Sequence, residues 1–386
     1  MNSMTFKSSV LAALILCSFG IAQAAPRYTV TDLGSLGSSS NGQSLNNRSH
    51  VAGYSWFLTN GSFCRHAFLW NPSDGLVDIG TLGGKSSVGV GINDKDQMTG
   101  FSYLSDQTEC NPFIENALHA FIWTAEKGMI DLGTLGGKNS YGYGINDQGE
   151  IAGYSNLKDS MGSHAFLWTS KTGMTDLGTL GGSYSLGYAI NKFGYVTGYS
   201  STDGNASWHA FVARSFRTSS RGKFHPGITM RDIGTLGGDM STGQAINDLS
   251  QVTGYSNLVE GDTDTKHAFF WSERKKMVDL GTLGGRSSYG RGINNAGVVT
   301  GNSLISEPTE DKPEPESHGF LWSQANGMED LNNLIPVDSG WVITSGNDIN
   351  DDGHITAMGY KPFVGEHALL LSPIKPCKRR LPYVCK

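Results

Sequence analysis

Short runs of apolar and aromatic residues alternate with turn-forming residues along the whole chain, and no stretch after residue 24 has sustained helical periodicity. The stretch that begins near Gly142 illustrates the pattern. It reads GYGIND, EIAGYS, HAFLW and MTDLG, with Asp147-Gln148-Gly149 and Gly173 at turns and a variable loop before HAFLW. Runs of four to six such residues between Gly, Asn and Asp are typical of β-strands. This stretch is therefore predicted to contain four strands.

The pattern repeats, and a heptapeptide marks each copy. DLGTLGG, or its isoleucine variant, begins at Asp78, Asp131, Asp176, Asp232 and Asp279. A looser copy, DLGSLGS, begins at Asp32, and a divergent one, DLNNLIP, begins at Asp330. Successive copies start 46, 53, 45, 56, 47 and 51 residues apart. A period of this length indicates a repeat architecture in which each unit buries its apolar faces against its neighbours.

Two further motifs count the repeats. The Ile-Asn pair or its equivalent occurs seven times, with the asparagine at Asn46, Asn93, Asn146, Asn191, Asn247, Asn294 and Asn350. A histidine also begins seven predicted third strands, at His66, His119, His164, His209, His267, His318 and His367. The chain starts with a fourth-strand segment and ends with a third-strand segment, so the N-terminal strand can complete the last repeat. We therefore predict an all-β fold, a seven-bladed β-propeller of four-stranded blades spanning residues 25–374 as one domain.

These motifs resemble those of the extracellular HAF-repeat proteins, a family named for its His-Ala-Phe segment. The resemblance covers about residues 27–372 and rests on HAFLW or a variant in each repeat, on DLGTLGG, and on IND-x-x-G-x-V-x-G. The final repeat, DLNNLIP followed by SGWVITSGNDINDDGHI, is similar to the closing repeat of that family. The resemblance implies an exported repeat protein. It supplies no catalytic residue, because the biochemical role of the family is poorly defined.

The N-terminus reads as a secretory signal rather than as part of the fold. Lys7 gives a weakly basic start, Val10 to Cys17 is apolar, and Ala22-Gln23-Ala24 is a small-residue cleavage site. Cys17 raises the alternative of a lipoprotein, but the bulky Leu16 before it argues against lipid attachment. We expect a protein exported to the periplasm, the medium or the cell surface, without a membrane span and monomeric, with residues 375–386 as a short basic tail.

Composition narrows the function. The net charge is −6, and loss of residues 1–24 removes one lysine and no acid, giving −7. This mild acidity argues against nucleic-acid binding. Four cysteines remain after signal removal, and an even number in an exported chain suggests disulfides. We predict the pairs Cys64–Cys110 and Cys377–Cys385, with a metal site as the alternative.

Most of the repeated polar residues are interpreted as structural. A histidine at the start of every third strand can hydrogen-bond a neighbouring strand or turn, and the Asp of DLG and the Asn of IND can hold tight turns. Asp348, Asn350 and Asp352 resemble the start of a calcium loop, but Gly359 stands where the twelfth-position glutamate is required. We therefore predict neither a metal site nor a cofactor.

The positions just after each Gly-Gly are the strongest ligand-binding candidates, because there the repeat diverges. In a propeller the GTLGG connections share one face with the loops between second and third strands. This loop-rich face would carry the insertions Trp56–Arg65, Leu104–Leu118 and Ser306–Ser317. The candidates on it are Lys85, Lys138, Tyr141, Tyr184, Asp239, Arg286 and Tyr289. Tyrosine can stack on a sugar ring, although packing of these tyrosines between blades is an equally good interpretation.

Three functions remain open at this stage. The first is a binding or adhesion module that engages a glycan or an envelope or extracellular protein through the loop-rich face. The second is a hydrolase or lyase acting on extracellular polysaccharide at the mouth of a central channel, where Arg291 is the one charged first-strand candidate. The third is a structural envelope component. No nucleophile elbow, HExxH, P-loop or CxxC motif is present, so no catalytic residue is predicted.

Overall fold

The computed structural model describes residues 25–59, 61–104, 117–158, 162–220, 223–307 and 316–375. These residues form an all-β fold, as predicted. Within them, helical structure is limited to three single turns of 3-10 helix, Asp203–Asn205, Leu331–Asn333 and Val337–Ser339. The predicted signal at 1–24 and all but the first residue of the tail at 375–386 lie outside the described part of the chain.

The described residues contain 28 strands, which fall into groups of four along the chain. The first thirteen are β1 (Tyr28–Asp32), β2 (Ser39–Leu45), β3 (Val51–Thr59), β4 (Ser62–Asn71), β5 (Gly75–Asp78), β6 (Gly83–Ile92), β7 (Met98–Leu104), β8 (Leu118–Thr124), β9 (Gly128–Asp131), β10 (Gly136–Ile145), β11 (Ile151–Leu157), β12 (Ser163–Thr169) and β13 (Gly173–Asp176).

The remaining fifteen strands continue the same succession. They are β14 (Gly181–Ile190), β15 (Tyr195–Thr202), β16 (Trp208–Ser220), β17 (Lys223–Asp232), β18 (Ser241–Ile246), β19 (Val252–Asn257), β20 (Lys266–Ser272), β21 (Lys276–Asp279), β22 (Ser288–Ile293), β23 (Val299–Leu304), β24 (Ser317–Ser323), β25 (Gly327–Asp330), β26 (Val342–Ile349), β27 (Ile355–Lys361) and β28 (Gly365–Pro373). The predicted four strands per repeat are confirmed.

Each repeat forms an antiparallel four-stranded sheet. Five sheets are separate, in the orders β2-β3-β4-β5, β6-β7-β8-β9, β18-β19-β20-β21, β22-β23-β24-β25 and β26-β27-β28-β1. The other two, β10 to β13 and β14 to β17, are joined by one parallel contact between Ser163 and Tyr184. Strand β1 pairs with β28 over five residues, so the N-terminal strand supplies the fourth strand of the last sheet, as predicted.

The His-Ala-Phe segment, or its His-Ala-Leu variant in the last sheet, links six of the seven sheets to the next. The phenylalanine, as in Phe121 and Phe166, is fully buried. The alanine donates its backbone N–H to a serine Oγ in the following sheet, for example Ala120 to Ser140 at 2.9 Å. That serine donates in turn to the glycine carbonyl of DLG, as Ser140 does to Gly133 at 2.5 Å. The apolar clusters accordingly lie between neighbouring sheets, and each sheet is stabilised by burial against its neighbour.

The histidines are structural, as predicted. In every repeat the histidine Nδ1 lies within hydrogen-bond distance of the Asp of DLG, as for His164 and Asp176 at 2.8 Å. The other pairs are His66–Asp78, His119–Asp131, His209–Asp232, His267–Asp279, His318–Asp330 and His367–Asp32. The aspartate also accepts a backbone N–H two residues later, such as that of Gly178 at 2.7 Å. The Asp therefore holds both the third strand and the following turn.

The buried asparagine of IND has two functions, of which the sequence predicted one. Its Oδ1 accepts backbone N–H groups in its own turn, for example those of Gln148 and Glu150 on Asn146. Its Nδ2 donates to the backbone carbonyl of the equivalent asparagine in the next sheet. Seven such bonds of 2.8–3.2 Å lead from Asn46 through Asn93, Asn146, Asn191, Asn247, Asn294 and Asn350 back to Asn46.

Close approach between sheets requires a glycine in the first strand of each. A Cβ on Gly142 would collide with Thr99 Oγ1 of the preceding sheet and lie 3.0 Å from the carbonyl oxygen of Gly100. A Cβ on Gly42 would meet Thr356 Oγ1 in the same way, across the junction between the last sheet and the first. The repeated Gly in G-x-x-I-N is therefore explained by packing.

The Gly-Gly segment was expected to connect one sheet to the next without being part of a strand, but in three repeats it belongs to the first strand. In three repeats the first strand starts at the first glycine, which pairs with the end of the second strand, as Gly136 does with Leu157. This pairing brings the Gly-Gly segments beside the loops between second and third strands, so the two share a face as predicted. Strands β16 and β17 are longer than their counterparts in the other repeats and pair over ten residues.

Candidate functional site

A cavity of about 440 Å³ lies where the first strands of all seven sheets meet. Its lining includes the residue one position after the repeated first-strand glycine in all seven repeats, and the residue two positions after it in six. The residues one position after the glycine are Gln43, Val90, Tyr143, Tyr188, Gln244, Arg291 and Asn347. The glycine before this position and the asparagine three residues after it are the same in every repeat. The repeat therefore diverges in chemistry where it faces the cavity.

A bulge in each first strand allows two consecutive positions to face the cavity. The register shifts between Gly142 and Gly144 in β10 and between Gly346 and Asp348 in β26, and equivalent shifts occur in the other five first strands. A bulge breaks the two-residue alternation of a strand, so two consecutive residues can face the same side. Asn347 and Asp348 consequently both line the cavity.

Arg291 is the basic residue in this lining. Its Nε donates to Asn302 Oδ1 at 2.8 Å, which fixes the plane of the guanidinium. No described residue accepts a hydrogen bond from its two terminal amino groups. Burial lowers the pKa of the guanidinium, while Tyr255, Tyr289 and Tyr54 act in the opposite direction. Arginine nevertheless stays charged in proteins, so the cavity contains a permanent cation.

Asp348 is the acidic residue in the same lining, at a position where the other repeats carry Ser, Gly or Ala. Its Oδ2 accepts the hydroxyl of Ser44 at 2.8 Å and the backbone N–H of Leu45 at 3.2 Å, both from the first sheet. Its Oδ1 accepts the N–H of Ile349 at 2.9 Å. Burial raises the pKa of this carboxyl to about 6, against the effect of these hydrogen bonds. Asp348 therefore titrates close to neutral pH.

Neutral polar and aromatic side chains complete the lining. The ring centroids of Tyr143 and Tyr188 are 5.0 Å apart at 69°, and burial raises the pKa of both hydroxyls. The side chain of Gln244 makes no hydrogen bond within the described part of the chain, whereas that of Gln43 donates to Asn41 at 2.8 Å. The cavity thus offers aromatic faces, an unpaired amide and the two charged groups.

The structure assigns packing contacts to two of the three predicted tyrosines. Tyr141 contacts Phe101 of the preceding sheet at 5.1 Å and stacks on Tyr154 at 4.6 Å. Tyr289 contacts Tyr255 of the preceding sheet at 5.1 Å. Both therefore pack between sheets, in agreement with the structural interpretation. Tyr184 is exposed on the loop-rich face.

The predicted charged residues of that face are engaged with nearby loops or lie apart from the cavity. Asp239 accepts the N–H of Gly261 at 2.8 Å, and Arg286 lies 3.7 Å from Glu307. Lys85 is half-buried and Lys138 is exposed, and both have partners. Of the eight predicted ligand-binding residues, Arg291 alone lines the central cavity.

Asp348, Asn350 and Asp352 do not converge as calcium ligands. Asp348 is held by Ser44 and Leu45, and the Asn350 amide donates to the carbonyl of Asn46. Asp352 is exposed. The contacts of these residues belong to the sheet junction.

Of the four cysteines predicted to form disulfides, only Cys64 lies within the described residues. Cys64 is buried in β4 and is disulfide-bonded. Its predicted partner Cys110 lies outside the described residues, as do Cys377 and Cys385, so the pairing stays a prediction.

The comparisons with known proteins yield one partial match. Residues 181–363 match the family described as "Protein of unknown function (DUF3466)". The matched region is less than half of the 386 residues and includes Arg291 and Asp348, but not Tyr143 or Gln43. No curated protein matches the chain. Among the described residues, no helix is long and apolar enough to cross a membrane.

Proposed function

We propose that the seven sheets form a seven-bladed β-propeller of the HAF-repeat type, closed by β1. Three observations support this architecture. The asparagine bonds return to their starting residue after seven steps, β1 completes the last sheet, and first strands of all seven sheets line one cavity. Such closure leaves only short sheet edges.

We further propose that the protein is an exported binding module whose ligand is a glycan held in the central cavity. The observation that carries this proposal is the divergence of the cavity-facing position, which has five residue types in seven repeats. The glycine before it and the asparagine three residues after it are the same in every repeat. A single cavity with aromatic faces and a few polar groups is the usual form of a small-ligand site. We therefore propose the cavity as the ligand site, in place of the loop-rich face that the sequence suggested.

Export is supported by the disulfide at Cys64, because disulfides persist in oxidising compartments. The signal at residues 1–24 and the pairing of Cys64 with Cys110 belong to the same proposal. A periplasmic, secreted or surface-bound location agrees with it equally well. Separation under non-reducing conditions of a C110S variant and the parent, after export in a bacterial host, tests the pairing.

A cavity-filling substitution tests the binding site. Val90 lines the cavity and belongs to none of the apolar core clusters, so V90W should occupy ligand space without disturbing the sheets. We expect the parent protein to bind a subset of an array of bacterial glycans and V90W to lose that binding. The matched control is a loop-rich-face double variant, K138A with Y184A, which should bind like the parent. Loss in the control but not in V90W would contradict the cavity proposal.

A glycan-modifying enzyme is the second candidate, because Arg291 and Asp348 line one cavity. A carboxyl with a pKa of about 6 can exchange protons near neutral pH, and a cation lining the same cavity can stabilise negative charge on a substrate. Incubation of the bound glycans with the protein, followed by product analysis, distinguishes the two. Release of shorter products by the parent but not by D348N would favour the enzyme.

A further inference from the structure

Two departures from the repeat occur together in the sixth sheet and meet at a hydrogen bond. The cavity position carries Arg291, where other repeats carry neutral residues. The position on the second strand that is Tyr or Phe in five repeats is Asn302 here. The Asn302 amide accepts from Arg291 Nε and donates to Ser317 Oγ at 3.2 Å. The arginine therefore has a dedicated support.

The hydrogen bond to Asn302 leaves the two terminal amino groups of the guanidinium without a partner among the described residues. With Nε engaged, the two terminal amino groups remain for a ligand, and no described residue pairs with them. The guanidinium is exposed to the solvent that fills the cavity, so a bound anion can replace that solvent and pair with the charge. The planar fork matches the two oxygens of a carboxylate.

We infer that the cavity recognises a sugar carboxylate, as in a uronic acid, through Arg291; this inference rests on the proposed glycan-binding function. A single cation suits a monoanion better than a phosphate dianion, particularly because Asp348 lines the same cavity. The rings of Tyr143 and Tyr188 provide faces for the apolar side of a sugar. The Gln244 amide is available for hydroxyl groups.

The test uses D-glucuronate, its neutral amide D-glucuronamide, and D-glucose 6-phosphate, each titrated calorimetrically into the full chain. We expect glucuronate to bind about 10- to 100-fold more tightly than glucuronamide, the range for a hydrogen bond to a charged group. R291Q should lose this preference. R291K keeps the charge without the fork and should retain part of it. R274Q removes an exposed arginine from the β20–β21 turn and should bind like the parent.

Several outcomes would overturn the inference. These are equal binding of glucuronate and its amide, an unchanged preference in a folded R291Q or R291K, tighter binding of glucose 6-phosphate, and no glucuronate binding up to about 10 mM. Failure here is distinct from failure of the proposed function. Array binding that V90W abolishes would still support a cavity site when glucuronate fails, whereas array binding unaffected by V90W would remove the cavity site itself.

Discussion

The imidazole Nδ1 of His367 lies 2.8 Å from Asp32 Oδ1, although the two residues are 335 positions apart in the chain. The pair joins the last strand to the first and repeats, across the termini, the contact that His267 makes with Asp279 only 12 residues away. A local motif of the repeat is thereby used as a long-range closure.

Because the His367–Asp32 and His267–Asp279 contacts are alike, their coupling free energies should be similar. We expect a double-mutant cycle of H367A and D32A to give a coupling free energy of about 0.5–1.5 kcal/mol. The cycle of H267A and D279A is the matched comparison within one sheet. Urea unfolding at neutral pH measures both. A coupling near zero for the terminal pair alone would mean that β1 frays from β28 in solution.

The seven hydrogen bonds from one IND asparagine to the next form a closed series, here called the amide circle. Each of its asparagines should contribute more to the free energy of unfolding than any single His–Asp pair. Asn247 is buried, its Oδ1 accepts from Leu249 and Gln251, and its Nδ2 donates to Asn294. N247A would remove the partner of the buried Asn294 carbonyl and of the two part-buried N–H groups. We expect a loss of about 2–4 kcal/mol in the free energy of unfolding.

An exposed asparagine is the control for this substitution. Asn326 is exposed in the turn after β24, and N326A should cost less than about 0.5 kcal/mol in the free energy of unfolding. Equal losses for N247A and N326A in urea unfolding would contradict a structural role for the circle.

The strand pattern could be predicted from sequence because local residue types determine it. HAFLW, DLG and IND specify strands and turns directly, and the structural role of His164 or Asp176 follows from proximity within one repeat. The amide bond from Asn146 to Asn191 could not be predicted, because it depends on the distance between two sheets. The sequence gives no direct signal for that distance.

Only one of the two charged residues of the cavity could be identified from the sequence, for a related reason. Arg291 stands out because its neighbours in other repeats are neutral. Asp348 was considered only as the start of a possible calcium loop. The two-residue alternation of a regular strand would place its side chain opposite to that of Asn347. The bulge after Gly346 removes that alternation. Register shifts of this kind depend on pairing with β27 and are not encoded in the residue types alone.

The His318–Asp330 pair predicts a stability effect confined to a pH window. The hydrogen bond that His318 donates to the Asp330 carboxylate raises the pKa of His318. Burial would raise the pKa of Asp330, but the hydrogen bonds from His318 and Asn332 lower it overall. The histidine contribution is complete below about pH 6.5 and is lost as pH rises through its raised pKa. The aspartate contribution is complete above about pH 3.9 and is lost as pH falls through its lowered pKa.

The substitution D330N should therefore destabilise most between about pH 4 and 6.5. We expect a loss of about 1 kcal/mol in the free energy of unfolding at pH 5.5, and less at pH 8.5 and at pH 2.5. Urea unfolding at these three pH values is the measurement. A loss independent of pH would show that the pair acts only as a neutral hydrogen bond.

The contribution of Asp348 to stability should depend on pH in the opposite way, since burial raises the pKa of its carboxyl to about 6. The folded state then binds the proton more tightly than the unfolded state, whose pKa is about 3.9. Between these values the contribution of Asp348 to stability falls as pH rises. D348N keeps an acceptor for Ser44 and Leu45 and avoids the buried charge. It should match the parent at pH 4 and exceed it by about 1–2 kcal/mol at pH 8.

The same titration should govern a carboxylate ligand on Arg291. Ionised Asp348 repels an anion in the shared cavity, so glucuronate affinity should fall in the parent as pH rises from 5 to 8. Gly292 follows Arg291 in the sixth sheet and approaches Asp348 of the seventh so closely that a Cβ on it would lie 2.7 Å from the Asp348 Cα. D348N should bind glucuronate with little change over this range. A parallel fall in D348N and the parent would remove Asp348 as the cause.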